Sequence, residues 1–297
     1  MQVKAGGHFW ILIMKRFNGL LMGLIGLLSV ICVGVYALVG LELSDRSKEH
    51  DIGYEAFTPY YQFLSSAQKQ VYGQAVKAAL NREDSFVPLA HVDPEELSEA
   101  MHAVYFDHPE IFWLDSGFGF EYRPQDNGVV SVTMDFNSLA ENLDYNSRIF
   151  NKEAQAIIAQ CSRLETDREK EKAAHDELVR RVNYKEGAEH PQSAFGAIVS
   201  GESVCAGYSR AFQYIMNAMG IDTYYVSGET SDGEHAWNIV RLEGDFYNVD
   251  LTWDDIDDSY MYFNESDMVF DETHVRCASA MQLPSCMPRS TLAGKSR

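Results

Sequence analysis

The sequence predicts an α+β protein in which a helical region with one β-hairpin precedes a core of one helix packed on an antiparallel sheet. Residues 59–80 carry apolar side chains at helical spacing, which predicts an amphipathic helix. Alternating segments on either side of Asp126-Asn-Gly128 predict a hairpin, because Asn-Gly favours a tight turn. Residues 205–219 show a helical pattern followed by three short alternating segments, which indicates a helix and an antiparallel sheet.

Local signals define the elements in chain order. Asp93 is a suitable N-cap, with Glu96 three residues on, so a helix should begin there and end before His108. Residues 139–182 are rich in Ala, Glu, Lys, Arg and Gln, which predicts one or two long helices. The predicted strands, each bounded by turn-forming residues, are 118–123, 129–136, 223–227, 235–242 and 246–252.

Composition limits the class of protein. The chain has 297 residues, which corresponds to one or two domains, and 46% of them are hydrophobic, enough for a packed core. Asp and Glu number 44 against 24 Lys and Arg, which gives a formal net charge of -20 at pH 7. A body this acidic repels polyanions, so nucleic acid is excluded as a partner.

An N-terminal run from residue 17 to residue 41 has no charged side chain. A helix of about 20 residues crosses a bilayer, and Lys15 and Arg16 before the run predict a cytoplasmic N-terminus. We interpret residues 17–41 as an uncleaved signal anchor that contacts the membrane and leaves the body of a single-pass protein extracellular. A cleaved signal peptide, which would make the protein secreted, is the alternative, and either Met1 or Met14 could be the natural start.

The five cysteines, at positions 32, 161, 205, 277 and 286, show no CxxC or other metal-ligand spacing. We therefore predict no structural zinc site and no cofactor. Cys277 and Cys286 could form a disulfide outside the cytoplasm, but the sequence leaves that pairing open. The acidic run within residues 254–258 is interpreted as a solvated loop in preference to a calcium site.

Cys205 is the candidate nucleophile because of its position in a predicted helix. With Ser203 as N-cap, Cys205 would be the second residue of that helix. Free N–H groups and the positive end of the helix dipole favour the thiolate there and can bind an oxyanion. Gly201 and Gly207 allow another backbone to approach closely. A small buried cysteine of the core is the alternative interpretation.

His235 and Asp250 are predicted to meet across a hairpin. If residues 243–244 form a two-residue turn, Leu242 faces Asp245, and His235 and Asp250 become diagonal neighbours about 7–8 Å apart at the backbone. Two side chains that lean toward each other can close this gap. The sequence therefore predicts a Cys–His–Asp trio suited to acyl transfer, although His235 alone could equally be an exposed histidine at a strand edge.

Taken together, these motifs resemble the transglutaminase-like superfamily, in its bacterial secreted branch. The resemblance rests on Val-Cys-x-Gly-Tyr at 204–208, His-Ala-Trp-Asn at 235–238 and Val-Asp-Leu-Thr-Trp-Asp at 249–254. The upstream stretch Asp-His-Pro-Glu-Ile-Phe-Trp at 107–113 is also similar to a segment that precedes the core in such proteins.

The resemblance implies a papain-like thiol fold with three catalytic roles. Cys205 is then the nucleophile, His235 the general base and later acid, and Asp250 the carboxylate that orients His235. The superfamily includes transglutaminases, peptidases, amidases and inactive scaffolds, so the resemblance does not imply cross-linking. For the family's oxyanion side chain, upstream of the cysteine, both Gln192 and Tyr184 are candidates, whereas His274 is interpreted as structural.

We predict a membrane-anchored or secreted cysteine acyl-enzyme that cleaves or transfers amide bonds of a peptide or protein substrate, including a cell-wall-associated one. Peptidase or amidase activity is favoured over cross-linking, because nothing in the chain marks an amine site. A non-catalytic binding domain at the cell surface is the alternative, which the complete trio disfavours. The predicted domains are a cytoplasmic stub with the anchor (1–41), a linker (42–52), a helical region with the hairpin (53–150), the catalytic core (151–285) and a flexible tail (286–297).

Overall fold

The computed structural model describes residues 57–288, and its mixture of helices and sheets confirms the predicted α+β class. The α-helices of this region, in chain order, are α1 (Pro59–Phe63), α2 (Ser66–Asn81), α3 (Pro94–Asp107), α4 (Leu143–Cys161), α5 (Asp167–Arg181), α6 (Cys205–Ala218), α7 (Leu251–Ile256) and α8 (Asp267–Phe270). The strands are β1 (Ser85–Phe86), β2 (Leu114–Tyr122), β3 (Val129–Phe136), β4 (Asn183–Tyr184), β5 (Glu202–Ser203), β6 (Thr223–Thr230), β7 (Gly233–Leu242), β8 (Asp245–Val249), β9 (Phe263–Glu265) and β10 (Val275–Arg276).

Antiparallel pairing organises most of these strands. A five-stranded sheet has the order β10-β6-β7-β8-β9, a three-stranded sheet has the order β1-β3-β2, and β4 and β5 pair in parallel. Helix α6 packs on β6 and β7 of the larger sheet. Phe212 and Ile215 of α6 and Val226 and Ile239 of the sheet are fully buried, so the main apolar core lies between this helix and this sheet.

The N-terminal helices match the predictions with one difference. Helix α3 begins as predicted, because Asp93 and Glu96 form a capping box in which each side chain accepts a hydrogen bond from the other residue's N–H. The single helix predicted over residues 59–80 is instead two helices, α1 and α2. Ser65 interrupts it by forming a second capping box, with Gln68, at the start of α2.

The β7–β8 hairpin has the predicted register but a shorter second strand. Leu242 pairs with Asp245 across a turn in which residues 243–244 both have positive φ. Strand β8 ends at Val249 and does not reach Thr252 as predicted. The chain enters helix α7 instead, because the carboxylate of Asp250 caps its first turn.

The predicted transmembrane helix and signal anchor, and with them the localisation as a single-pass membrane protein, are contradicted. Within residues 57–288, no helix is both long enough and apolar enough to span a bilayer. Helix α4 has sufficient length, 19 residues, but charged side chains such as Asp144, Arg148 and Lys152 occur along it. The run at 17–41, on which the prediction was based, lies outside the described residues.

Candidate active site

Cys205 is the first residue of helix α6 and is partly exposed. It lies one position nearer the helix start than predicted, because Val204 and not Ser203 is the N-cap. Ser203 is buried, and its hydroxyl donates to the carbonyl of Pro191. No side chain caps α6, and the N–H groups of Gly207 and Tyr208 donate to the Val204 carbonyl. The N–H groups of Cys205 and Ala206 are therefore the ones that can donate to an anion beside the thiol.

His235 and Asp250 form a direct hydrogen bond. His235 lies on β7, Asp250 stands between β8 and α7, and the distance from His235 Nε2 to Asp250 Oδ2 is 2.7 Å. Both side chains are buried. The other carboxylate oxygen, Oδ1, accepts the N–H groups of Thr252 and Trp253, which fixes the plane of the carboxylate.

Cys205 forms a hydrogen bond with the imidazole of His235. Burial lowers the pKa of His235, but its hydrogen bonds to Asp250 and Cys205 and the negative charges of both raise it to about 10. Since Nε2 is bonded to Asp250, Nδ1 is the ring nitrogen left for the sulfur. The structure thus brings the three predicted residues together, with His235 between the thiol and the carboxylate.

The charge state of Asp250 complements that of His235. Burial raises the pKa of Asp250, but the hydrogen bonds and charges of His235 and His274 lower it to about 2. Asp250 is therefore ionised and His235 carries a proton across the neutral pH range. This pairing of charges places an imidazolium beside the Cys205 sulfur.

His274 was interpreted from the sequence as structural, yet it touches the same carboxylate. Its Nε2 lies 3.2 Å from Asp250 Oδ2, and its side chain is fully buried. His274 lies in the connection between α8 and β10, 24 residues after Asp250, so no periodicity or register could have placed it there.

His235, Asp250 and His274 form a hydrogen-bonded cluster. In the described part of the chain, the group of potential metal ligands is His235, Asp250 and His274, whose ligand atoms lie within 4.8 Å of one another. The same atoms are already engaged with each other at 2.7 and 3.2 Å. Two acidic residues nearby also have partners in the fold: Asp254 bonds with His175, and Asp255 accepts from the Tyr208 hydroxyl. Because Asp254 is buried, the solvated-loop interpretation is wrong for it.

Of the two oxyanion candidates, Tyr184 is the better placed. The pKa of Tyr184 is raised first by burial and then by the negative charges of Cys205, Glu186 and Asp232, which indicates that its side chain lies near Cys205. Its side chain is 41% exposed, so a substrate can reach it. The main-chain carbonyl of Gln192, by contrast, accepts a hydrogen bond from the Tyr105 hydroxyl at 3.3 Å.

Comparison with known proteins agrees with the motifs. The family model of the transglutaminase-like superfamily matches residues 155–251. No curated protein matches the chain. Similar solved structures include a provisionally named cysteine protease from Cytophaga hutchinsonii (16% identity, 46% of this chain and 61% of that chain, TM-score 0.32), a TGase (15%, 57% and 50%, 0.31) and a provisionally named protease from Parabacteroides distasonis (9%, 44% and 30%, 0.29).

The aligned region spans less than two thirds of each of these solved chains. The family match is more specific, because its range includes the first helix residue Cys205, the strand residue His235 and the capping residue Asp250. Residues 155–251 of this chain therefore match the core of the transglutaminase-like superfamily.

Proposed function

We propose that the protein is a cysteine acyl-enzyme that breaks an amide bond of a peptide or protein through a thioester on Cys205. One observation carries the proposal. His235 lies between a partly exposed thiol at a helix N-terminus and a buried carboxylate. That arrangement provides a nucleophile, a proton donor and an orienting group in one site.

In the proposed cycle, the Cys205 thiolate forms a bond to the amide carbonyl carbon. The resulting oxyanion accepts hydrogen bonds from N–H groups at the start of α6. The carbon–nitrogen bond then breaks, and the leaving amine takes the proton of the His235 imidazolium. Water next attacks the thioester while neutral His235 accepts a proton from it. The acid product leaves, and the thiolate and imidazolium are restored.

We propose hydrolysis as the main fate of the thioester, with transfer to an amine as the second candidate. Water needs no binding site of its own, whereas an amine does. Succinylated casein with dansylcadaverine as the probe amine separates the two fates. Hydrolysis releases new amino termini or ammonia without fluorescence, whereas transfer incorporates the probe and yields fluorescent casein. Cys205→Ala should give neither product, and fluorescent casein as the main product of the wild-type protein would assign transfer.

The reactivity of Cys205 tests the proposal without a natural substrate. Cys277 is a matched control because it is also partly exposed, while Cys161 and Cys286 are buried. Iodoacetamide near pH 6 should alkylate Cys205 about 10-fold or more faster than Cys277, since the thiolate is the reactive form. The rates are measured by mass spectrometry of tryptic peptides.

A second variant links this reactivity to the imidazole. His235→Ala should slow the alkylation of Cys205 and leave that of Cys277 unchanged, because Cys277 has Ser279 and not a histidine as its neighbour. Equal rates for Cys205 and Cys277 in the folded wild-type protein would reject the acyl-enzyme. They would favour a binding domain that has kept the fold without the activity.

A further inference from the structure

Asp250 is held by four hydrogen bonds, two on each oxygen. Oδ1 accepts the N–H groups of Thr252 at 2.9 Å and Trp253 at 3.3 Å. Oδ2 lies 2.7 Å from His235 Nε2 and 3.2 Å from His274 Nε2. Because an ionised carboxylate can only accept, both Nε2 atoms must carry a proton. Oδ2 therefore divides its charge between two imidazoles.

His274 is fixed in this orientation by its surroundings. Its ring centre lies 4.5 Å from that of Trp253, 4.6 Å from that of Phe270 and 5.0 Å from that of Trp237. Its other nitrogen, Nδ1, is 2.8 Å from the hydroxyl of Thr273. A ring enclosed in this way cannot turn its Nε2 away from Asp250 without moving several aromatic side chains.

We propose that His274 is a positioning residue for the catalytic site, which rests on the function proposed above. It holds Asp250 Oδ2 toward His235 and withdraws part of the carboxylate charge from it. Without His274, Oδ2 would act on His235 alone, so the imidazolium would be stabilised further and would release its proton less readily to the leaving amine. His274 is fully buried, so it acts through Asp250 and does not contact substrate.

Titratable groups from several elements surround His235 and His274. Cys205 of α6 and Asp250 act directly on His235. His274 lies with its ring centre 5.5 Å from that of His235 and 5.6 Å from that of Tyr262, which precedes β9. A change in the titration of His235 must therefore be compared with changes at these four groups.

Two substitutions separate the hydrogen bond from the packing. His274→Phe keeps an aromatic ring and removes the donor, whereas His274→Gln can place an amide N–H near the Nε2 position. His175→Phe is the matched control, since His175 Nε2 also lies 3.2 Å from a buried carboxylate oxygen, that of Asp254. His175→Phe loses a buried His–Asp contact that does not involve the Asp250 carboxylate.

The readouts are the pH dependence of Cys205 alkylation by iodoacetamide and the kinetics of succinylated casein hydrolysis. For His274→Phe we expect kcat to fall about 10-fold with KM nearly unchanged. The alkylation rate of Cys205 should change at alkaline pH as His235 loses its proton, and we call this change the alkaline step. In His274→Phe the alkaline step should move up by about half a pH unit or more. His274→Gln should restore most of kcat and the wild-type step. His175→Phe should lower the melting temperature without moving the step.

The inference is overturned if His274→Phe keeps the wild-type kcat and step, or if it loses activity while the step stays in place, as for a purely structural residue. If His274→Phe fails to fold, Thr273→Val can be used, because it removes the hydroxyl next to Nδ1 of His274. It should move the alkaline step in the same direction by a smaller amount. An unchanged step in Thr273→Val would count against the inference. Failure of the proposed function is distinguishable, because it would remove the faster alkylation of Cys205 over Cys277 in the wild-type protein itself.

Discussion

At the scale of single residues, the candidate site depends on the placement of one carboxylate. Asp250 caps helix α7 through Oδ1 and bonds to His235 through Oδ2. The capping bonds use backbone N–H groups, so the carboxylate is oriented by the chain itself before any substrate binds. A side chain with both functions can be changed in a way that preserves one and removes the other.

Asp250→Asn makes that separation. Asparagine caps helices about as well as aspartate, so the fold should persist. The negative charge that helps to raise the pKa of His235 to about 10 is lost. A raised histidine pKa keeps the proton below that value and loses it as pH rises through it, so the alkaline limb of kcat/KM should move to lower pH. Activity should fall roughly 10²–10⁴-fold.

Circular dichroism measured beside the kinetics shows whether Asp250→Asn is folded. Turnover close to wild type in this variant, on casein that Cys205→Ala does not process, would contradict the Cys–His–Asp interpretation. A Cys–His dyad would then suffice, and the hydrogen bond of Asp250 to His235 would serve stability alone.

Tyr184 is the residue whose hydroxyl we expect to assist the backbone in binding the oxyanion. Tyr184→Phe removes only that hydroxyl, and we expect kcat to fall roughly 10²-fold, as for loss of one oxyanion donor. Gln192→Ala is the comparison, for which we expect little change. The measurement is kcat and KM on succinylated casein. A loss confined to KM, or a larger loss in Gln192→Ala, would assign the oxyanion role elsewhere.

At the scale of elements, the start of helix α6 is packed against another segment of backbone. Gly207 lies in its first turn, and a Cβ there would lie 2.5 Å from the Pro191 carbonyl oxygen and 3.0 Å from that of Ser193. Real Cβ atoms do not approach so closely. Residue 207 must therefore be glycine for the helix to begin where Cys205 can face His235.

Gly207→Ala should lower the free energy of unfolding by about 1–3 kcal/mol, because the backbone must shift to relieve the overlap. The alkylation rate of Cys205 should also fall, since the thiol moves with the helix start. The matched control is Gly73→Ala in α2, where a Cβ meets nothing within 4 Å. That change should stabilise the protein by up to about 1 kcal/mol. Urea denaturation measures both, and equal effects would contradict the packing argument.

The elements show which features could be predicted from the sequence. Capping residues and the turn at 243–244 act locally, so the start of α3 and the register of the hairpin were predictable. The end of β8 was not, since residues 250–252 alternate like a strand and only the capping bonds of Asp250 turn the chain into a helix. His274 could not be placed either, because its contact with Asp250 arises from packing between distant segments.

At the scale of the whole molecule, helix α6 also binds the end of helix α3. Arg210 of α6 is fully buried and donates to the carbonyls of Tyr105 and His108 at the end of α3. Gln213 of α6 donates to the carbonyl of Phe106. The last carbonyls of α3 are therefore satisfied by side chains of the helix that begins with Cys205, which couples the two regions.

Arg210→Met tests this coupling. Methionine fills similar space but removes a donor from the carbonyls of Tyr105 and His108, of which His108 keeps the N–H of Ile111. The free energy of unfolding should therefore fall by on the order of 3 kcal/mol. Arg180→Met is the control, because Arg180 is exposed and pairs with Glu177 on its own helix. Such surface pairs contribute about 0–1 kcal/mol.

The mode of unfolding is the stronger part of this prediction. If α3 and α6 are coupled as described, residues 57–288 should unfold in one cooperative transition, in the wild-type protein and in Arg210→Met. Trp113 reports on the N-terminal helices and Trp237 on the larger sheet, so single-tryptophan variants of the full chain can follow each region by fluorescence during urea denaturation. Coincident midpoints are expected, both shifted to lower urea by Arg210→Met. Separate midpoints in the wild-type protein would show that the N-terminal helices and the sheet unfold independently. A shift of the Trp113 midpoint alone would show that Arg210 stabilises α3 without coupling it to the sheet.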